Sequence, residues 1–263
     1  MNFTHDTIAA GVRARRFELD GPTECIPGML WTPEGATGPR PKVLFGHGGS
    51  QHKKARNLVA LAEALVRIHG YACVAIDAPG HGDRVSEEER ERGRERARAR
   101  EQARRDATAT GAPLRHHLGG PADPYPAMFL RGVADWTAVL DAVEQQPDVG
   151  PGPTGWWGVS MGTSIGLPFV AGEQRITCAV LGLASAVPRP AHDDYLGWAR
   201  SLRIPVLFLC QRDDGGHPVE QALELWNLIG SKEKTMHINP GPHVGIPAFE
   251  RDESREFLAR HLG

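Results

Sequence analysis

The nine residues Thr154-Gly155-Trp156-Trp157-Gly158-Val159-Ser160-Met161-Gly162 join a strand-like run to a segment of small residues, and the junction carries Gly-x-Ser-x-Gly. A serine between a strand and a helix occupies a sharp turn, and its side chain projects above the sheet. Glycine two residues before and two after it lets the strand and helix approach with no Cβ in the way. The helix starting behind Ser160 favours negative charge near its N-terminus. Ser160 is therefore the candidate nucleophile, and the strand–turn–helix it sits in predicts an α/β fold.

The rest of the chain agrees with that fold. Residues 12–19 and 26–32 read as two short strands around the turn Asp20-Gly21-Pro22. Residues 42–46 form a compact strand. Leu58, Leu61, Leu65 and Ile68 place one apolar face on a helix over 54–69, and Gly70 stops it. Residues 71–77 read as a buried strand. Val133, Trp136, Leu140 and Val143 mark a helix over 127–145. Strands are expected at 155–159, 176–183, 204–210 and 234–238, with helices at 160–171, 218–229 and 250–261. Strands that are apolar throughout, alternating with helices, predict a central, mostly parallel sheet of about eight strands covered on both faces. The first strands are expected to pair antiparallel. No repeat of 20–50 residues is evident.

The nucleophile needs a base, an acid and an oxyanion site. Gly46-His47-Gly48-Gly49-Ser50 closes a strand and precedes a helix, where backbone donors belong. The backbone N–H groups of Gly49 and Met161 are the expected donors, with His47 bracing the loop. Two acids, Asp213 and Asp214, follow the strand at 204–210. Asp214, four residues before Pro218, is preferred, and Asp213 stays open. His243 follows a strand in a Gly/Pro loop, 83 residues after Ser160, and is the expected base. His237 lies within the strand pattern and reads as structural. His116-His117 and His192-Asp193-Asp194 lack recognised metal spacing and read as solvated loop residues. No metal and no organic cofactor is expected.

Composition excludes several classes. The chain has 263 residues, 40% hydrophobic and 24% charged, with net charge −2. It fits one domain over 1–263 with an insertion, and neither disorder nor electrostatic nucleic-acid binding. No apolar run approaches the ~20 residues of a membrane span. No secretory signal is visible at Met1–Arg16, and four cysteines without a CxxC spacing read as reduced thiols, so the cytoplasm is the expected location. The insertion is 84–126. Its first half, Ser86–Arg105, is almost all Glu and Arg. It reads as a helix opened by a Ser86–Glu89 capping box, with no apolar stripe. Its second half, Gly111–Pro126, reads as loop. The insertion stands as a lid or an oligomer contact, with a solvated arm as the plain alternative. Nothing in the sequence sets the oligomeric state.

The strand-ending His-Gly-Gly loop, Gly158–Gly162, Asp214 and His243 occur in the order found in the α/β-hydrolase superfamily, which the chain resembles over roughly 25–262. Asp77-Ala78-Pro79-Gly80-His81-Gly82-Asp83-Arg84 is similar to the loop after that superfamily's fourth strand. The nearest resemblance is to serine esterases of the dienelactone-hydrolase-like group. True dienelactone hydrolases carry a cysteine where this chain has Ser160, so their substrate does not transfer. The group's Gly-x-x-Asp-x-x-Val-Pro lacks its glycine here and has His217 for valine. The resemblance implies a small-molecule ester substrate and a Ser160–Asp214–His243 triad. The same triad serves C–C hydrolases and amidases, and the same scaffold can be a silent small-molecule binder.

Overall fold

The chain runs β1 (Asn2–Ala9), β2 (Val12–Asp20), β3 (Cys25–Pro33), β4 (Lys42–Gly46), α1 (Arg56–His69), β5 (Ala72–Ile76), a 3-10 turn (Gly82–Arg84), α2 (Glu87–Thr110) and α3 (Ala127–Glu144). It continues through β6 (Thr154–Gly158), α4 (Met161–Gly172), β7 (Ile176–Gly182), α5 (His192–Ser201), β8 (Val206–Gln211), α6 (Val219–Leu228), β9 (Lys234–Asn239) and α7 (Glu250–Leu262). These elements come from a computed structural model that describes residues 1–110 and 123–263. The strands form one open sheet in the order β1-β2-β3-β5-β4-β6-β7-β8-β9. Pairing is antiparallel from β1 through β3 to β5 and parallel from β5 to β9.

The pleat explains why the central strands are apolar at every position. Val43, Phe45, Cys73, Ala75, Trp157, Val180 and Leu207 point to one face, under Leu58, Leu61 and Leu65 of α1 and Leu258 of α7. Their neighbours Leu44, Val74, Ile76, Trp156, Ala179, Leu181 and Phe208 point to the other, under α3, α4, α5 and α6. Successive residues alternate faces, so a strand covered on both sides has no polar side to show. Trp156 and Trp157 are both core, one per face. Gly70 ends α1 in the left-handed region at φ +72°.

The structure departs from the sequence-based expectation at several points. The sheet has nine strands because β1 adds an edge. Its side chains are almost all exposed and show no apolar alternation, so it carries no periodic signal. Pairing with β2 forms it, aided by an Arg13–Asp6 ion pair at 2.6 Å. The stretch His192-Asp193-Asp194 is the first turn of α5, whose Tyr195, Leu196 and Ala199 bury against the core. Ile68 is 60% exposed, and Val66 takes its place on the buried face of α1. At the start of the insertion, Arg84 is not solvated: its side chain is 1% exposed and pairs with Asp135 at 2.6 Å.

The described part of α2 agrees with the sequence. Ser86 Oγ accepts the Glu89 N–H at 3.2 Å, and Glu89 Oε2 accepts the Ser86 N–H at 2.8 Å. The described side chains of α2 are all exposed. The expected loop from Gly111, with His116-His117, lies outside the described residues up to 122. Cys73, Cys178 and Cys210 are buried, Cys25 is exposed, and all four are free thiols. Among the described residues no helix is long and apolar enough to cross a membrane.

Candidate active site

Ser160 stands between β6 and α4 at φ +58°, ψ −117°. A side-chain-bearing residue persists there only where its surroundings over-determine it, and here they do. The Ser160 N–H donates to the Gly182 carbonyl at the end of β7, 2.9 Å away. The buried Thr163 hydroxyl sits 2.7 Å from that same carbonyl and accepts the Gly182 N–H at 2.9 Å. The flanking glycines are steric necessities. A Cβ on Gly162 would stand 2.3 Å from the Gly46 carbonyl oxygen, and one on Gly158 2.9 Å from the Gly162 carbonyl oxygen.

Ser160 Oγ lies 2.8 Å from His243 Nε2, and His243 Nδ1 lies 2.5 Å from Asp214 Oδ2. Asp214 Oδ1 accepts the N–H groups of Gly216 and His217, at 2.9 and 3.2 Å. Burial opposes ionisation of Asp214, but its bond to His243 and the nearby imidazoles outweigh burial and hold its pKa below the usual carboxylate value. Of the two aspartates left open by the sequence, Asp214 is the one against His243. Asp213 reaches the same loop differently: its Oδ2 accepts the Gly241 N–H at 2.8 Å. Gln211 Nε2 adds contacts of 3.4 Å to the carbonyls of Pro240 and Pro242. The Gly/Pro loop that carries His243 is thus pinned to the end of β8.

On the other side of Ser160, the β4–α1 loop holds Gly49, which is exposed, while Met161 is the first residue of α4. A first-turn N–H has no partner within its own helix. His47 braces this loop. It is 2% exposed, its Nδ1 lies 2.8 Å from the Gly48 carbonyl, and its Nε2 accepts the Ala78 N–H at 3.0 Å. Burial lowers its pKa to about 4, so it is a neutral ring. His237 is structural, as expected: it meets Glu250 at 3.0 Å from within β9.

Three features of the surroundings carried no clear sequence signal. Lys53 is 2% exposed, although one of two adjacent lysines reads as solvated. Its Nζ pairs with Asp77 and Asp83, each at 2.6 Å, and its N–H donates to Asp77 Oδ1 at 2.8 Å. Asp77 thereby ties the β4–α1 loop to the loop leading into α2. His217 lies face to face with His243, ring centroids 5.5 Å apart, with its Nδ1 2.9 Å from Ser185 Oγ. Arg189 is 4% exposed and sits over the Tyr195 ring. Among the described residues no group of three His, Cys, Asp or Glu could hold a metal ion.

The fold and the Gly-x-Ser-x-Gly elbow with its imidazole and carboxylate are those of an α/β-hydrolase, and known structures agree. A cold-adapted esterase from an Arctic intertidal metagenomic library is 33% identical with a TM-score of 0.77, each chain covered in full. An acetyl xylan esterase from Paenibacillus is 16% identical, covering 99% of this chain and 88% of its own, with a TM-score of 0.69. A dienelactone hydrolase from Anabaena variabilis is 18% identical, covering 97% of this chain and 100% of its own, with a TM-score of 0.62. No protein-family model and no curated protein matches the sequence. The chain belongs to the α/β-hydrolase superfamily. Within it, the chain is a carboxylic ester hydrolase of the serine esterase type.

Proposed function

We propose that this enzyme hydrolyses small-molecule carboxylic esters through an acyl-enzyme formed on Ser160. The observation that carries the reading is the continuous contact from Ser160 Oγ through His243 to Asp214, at 2.8 and 2.5 Å. His243 Nε2 takes the Ser160 proton as Oγ bonds to the acyl carbon. Asp214 holds the imidazole with Nδ1 protonated and stabilises its charged form. The N–H groups of Gly49 and Met161 receive the oxyanion, a role worth ~3–4 kcal/mol per donor in related sites. The tetrahedral intermediate collapses, the C–O bond breaks, and His243 returns the proton to the leaving alkoxide. A water molecule, deprotonated by His243, then attacks the acyl carbon and releases the acid and Ser160. The residues supply nucleophile, base and oxyanion donors themselves, so the reading assigns no cofactor.

The charged insertion is read as a cover or contact arm. Its root is fixed by Arg84 and Asp135, and the described side chains of α2 face outward. Four free thiols support a reducing location such as the cytoplasm. The test is turnover of p-nitrophenyl esters, acetate to decanoate, by wild type and Ser160→Ala. We expect loss of at least ~10³-fold in kcat with the fold retained. Turnover of these esters by the variant at the wild-type rate would sink the mechanism, and turnover of diketones or amides alone would move the reaction off esters.

A further inference from the structure

Arg189 lies in the segment between β7 and α5 and is 4% exposed. A buried guanidinium ordinarily meets a carboxylate, because an uncompensated charge is costly away from water. This one does not. Nη2 donates to the Ser185 carbonyl at 3.0 Å, and the guanidinium lies 4.0 Å from the Tyr195 ring centroid. Nε is sealed from solvent without a partner, as is the Tyr195 hydroxyl. Among the described residues Arg189 forms no ion pair.

Its position ties it to the reaction centre from two sides. Ser185, whose carbonyl it holds, places Oγ 2.9 Å from His217, and His217 lies face to face with His243. On the other side, Tyr125 donates its hydroxyl to the carbonyl of Ser164, one helical turn beyond Ser160, and packs edge-on against Trp198 of α5 at 5.0 Å. Burial raises the pKa of both Tyr125 and Tyr195, and the Arg189 charge opposes that rise in each. The guanidinium is thus in electrostatic reach of two phenols, one of which, Tyr125, bonds the turn of α4 that follows Ser160. Its segment begins and ends in the left-handed region at non-glycine residues, Leu183 at φ +49° and Ala191 at φ +46°. Such backbone is kept where the surroundings demand a particular loop shape.

We propose that Arg189 is a specificity-determining residue that receives a carboxylate carried by the substrate, so that the preferred esters are singly charged half-esters. This rests on the esterase reading above. A guanidinium fork matches a carboxylate geometrically, and the charge that the fold leaves uncompensated is completed on binding. The substrate's carboxylate can stand on the acyl side or on the alcohol side of the scissile bond.

The test compares kcat/KM within each protein for pairs of equal carbon number that differ by a terminal carboxylate in place of a methyl group. For the acyl side the pair is p-nitrophenyl hemiglutarate against p-nitrophenyl valerate. For the alcohol side it is the butyrate ester of 4-hydroxybutyrate against butyl butyrate. We expect wild type to prefer the charged member of at least one pair by about tenfold or more, the scale of one charge-assisted hydrogen bond. Arg189→Met should bring that ratio to about one, and Arg189→Lys should leave it between the two. Reading a ratio cancels any loss common to both esters. Should Arg189→Met fail to fold, glutarate and valerate are compared as inhibitors of valerate-ester turnover by wild type, and glutarate is expected to bind at least about tenfold tighter. Serine-dependent turnover with no preference in either pair, or a preference that survives in Arg189→Met, overturns the inference and leaves the esterase intact. Turnover of none of the four esters by wild type removes both.

Discussion

Two buried cations sit in connecting loops, Lys53 between β4 and α1 and Arg189 between β7 and α5, and the fold treats them in opposite ways. Lys53, within the β4–α1 loop, has two carboxylates at 2.6 Å, and one of them, Asp77, also takes the Lys53 and Asp83 N–H groups at 2.8 Å. Arg189, within the β7–α5 segment, has a carbonyl and a ring face. The first is a closed account of charges that holds backbone in place. The second, among the described residues, has no carboxylate and keeps Nε without a partner. On the proposed reading the two divide the labour: one fixes the shape of the β4–α1 loop, and the other selects the substrate.

The sharpest way to break the comparison is at the centre it surrounds. Asp214→Ala should lower kcat by about 10³- to 10⁴-fold, since the imidazole loses its tautomer and its counter-charge. Asp213→Ala should cost less than about tenfold, because Asp213 fixes only the loop through Gly241. Equal losses in steady-state rates would show that the assignment of the acid is wrong.

The closed side predicts stability rather than specificity. Asp77→Ala strands the Lys53 charge opposite Asp83 alone and should cost about 3–5 kcal/mol, read as a lower urea midpoint. A loss under about 1 kcal/mol would mean that the network does not anchor the loop. Acid should act on the same side. His47 is neutral in the fold, its pKa lowered by burial to about 4 from the ordinary 6.5. A histidine held neutral stabilises the fold above its unfolded pKa, and that contribution is lost as pH falls through 6.5 towards 4. The urea midpoint should therefore fall across that window, and fall less steeply in His47→Gln. A parallel decline in the two proteins would place the acid sensitivity elsewhere.

The smallest effect belongs to the arm. Arg92 pairs with Glu88 at 3.0 Å with both side chains more than half exposed, so Arg92→Ala should change stability by less than about 0.5 kcal/mol. A larger thermal shift would mean that α2 packs against something, a second copy of the chain included.

How far the sequence carried follows from which signals are local. Gly158, Ser160 and Gly162 were legible because a strand-to-helix turn with close backbone approach tolerates few residues. The central strands were legible because burial on both faces demands apolar side chains at every position. The edge strand β1 was not, because its side chains face solvent and its partner β2 forms it. Helix α5 was missed because its charged first turn, His192-Asp193-Asp194, reads as solvated loop, while Tyr195, Leu196 and Ala199 bury it against the core.

At the site the division is similar. Ser160, His243 and an aspartate after β8 came from residue type, order and the loops that hold them. The sequence preferred Asp214 and left Asp213 open, and only the tertiary structure showed which carboxylate meets the imidazole, since adjacent residues on one loop point different ways. Lys53 beside Lys54 and Arg189 between two prolines look like surface charges in the sequence, and packing made both buried. A chain's local grammar states which chemistry it can attempt. Which charges end up neutralised, and which are left open, depends on contacts between residues distant in sequence, and no local pattern encodes those.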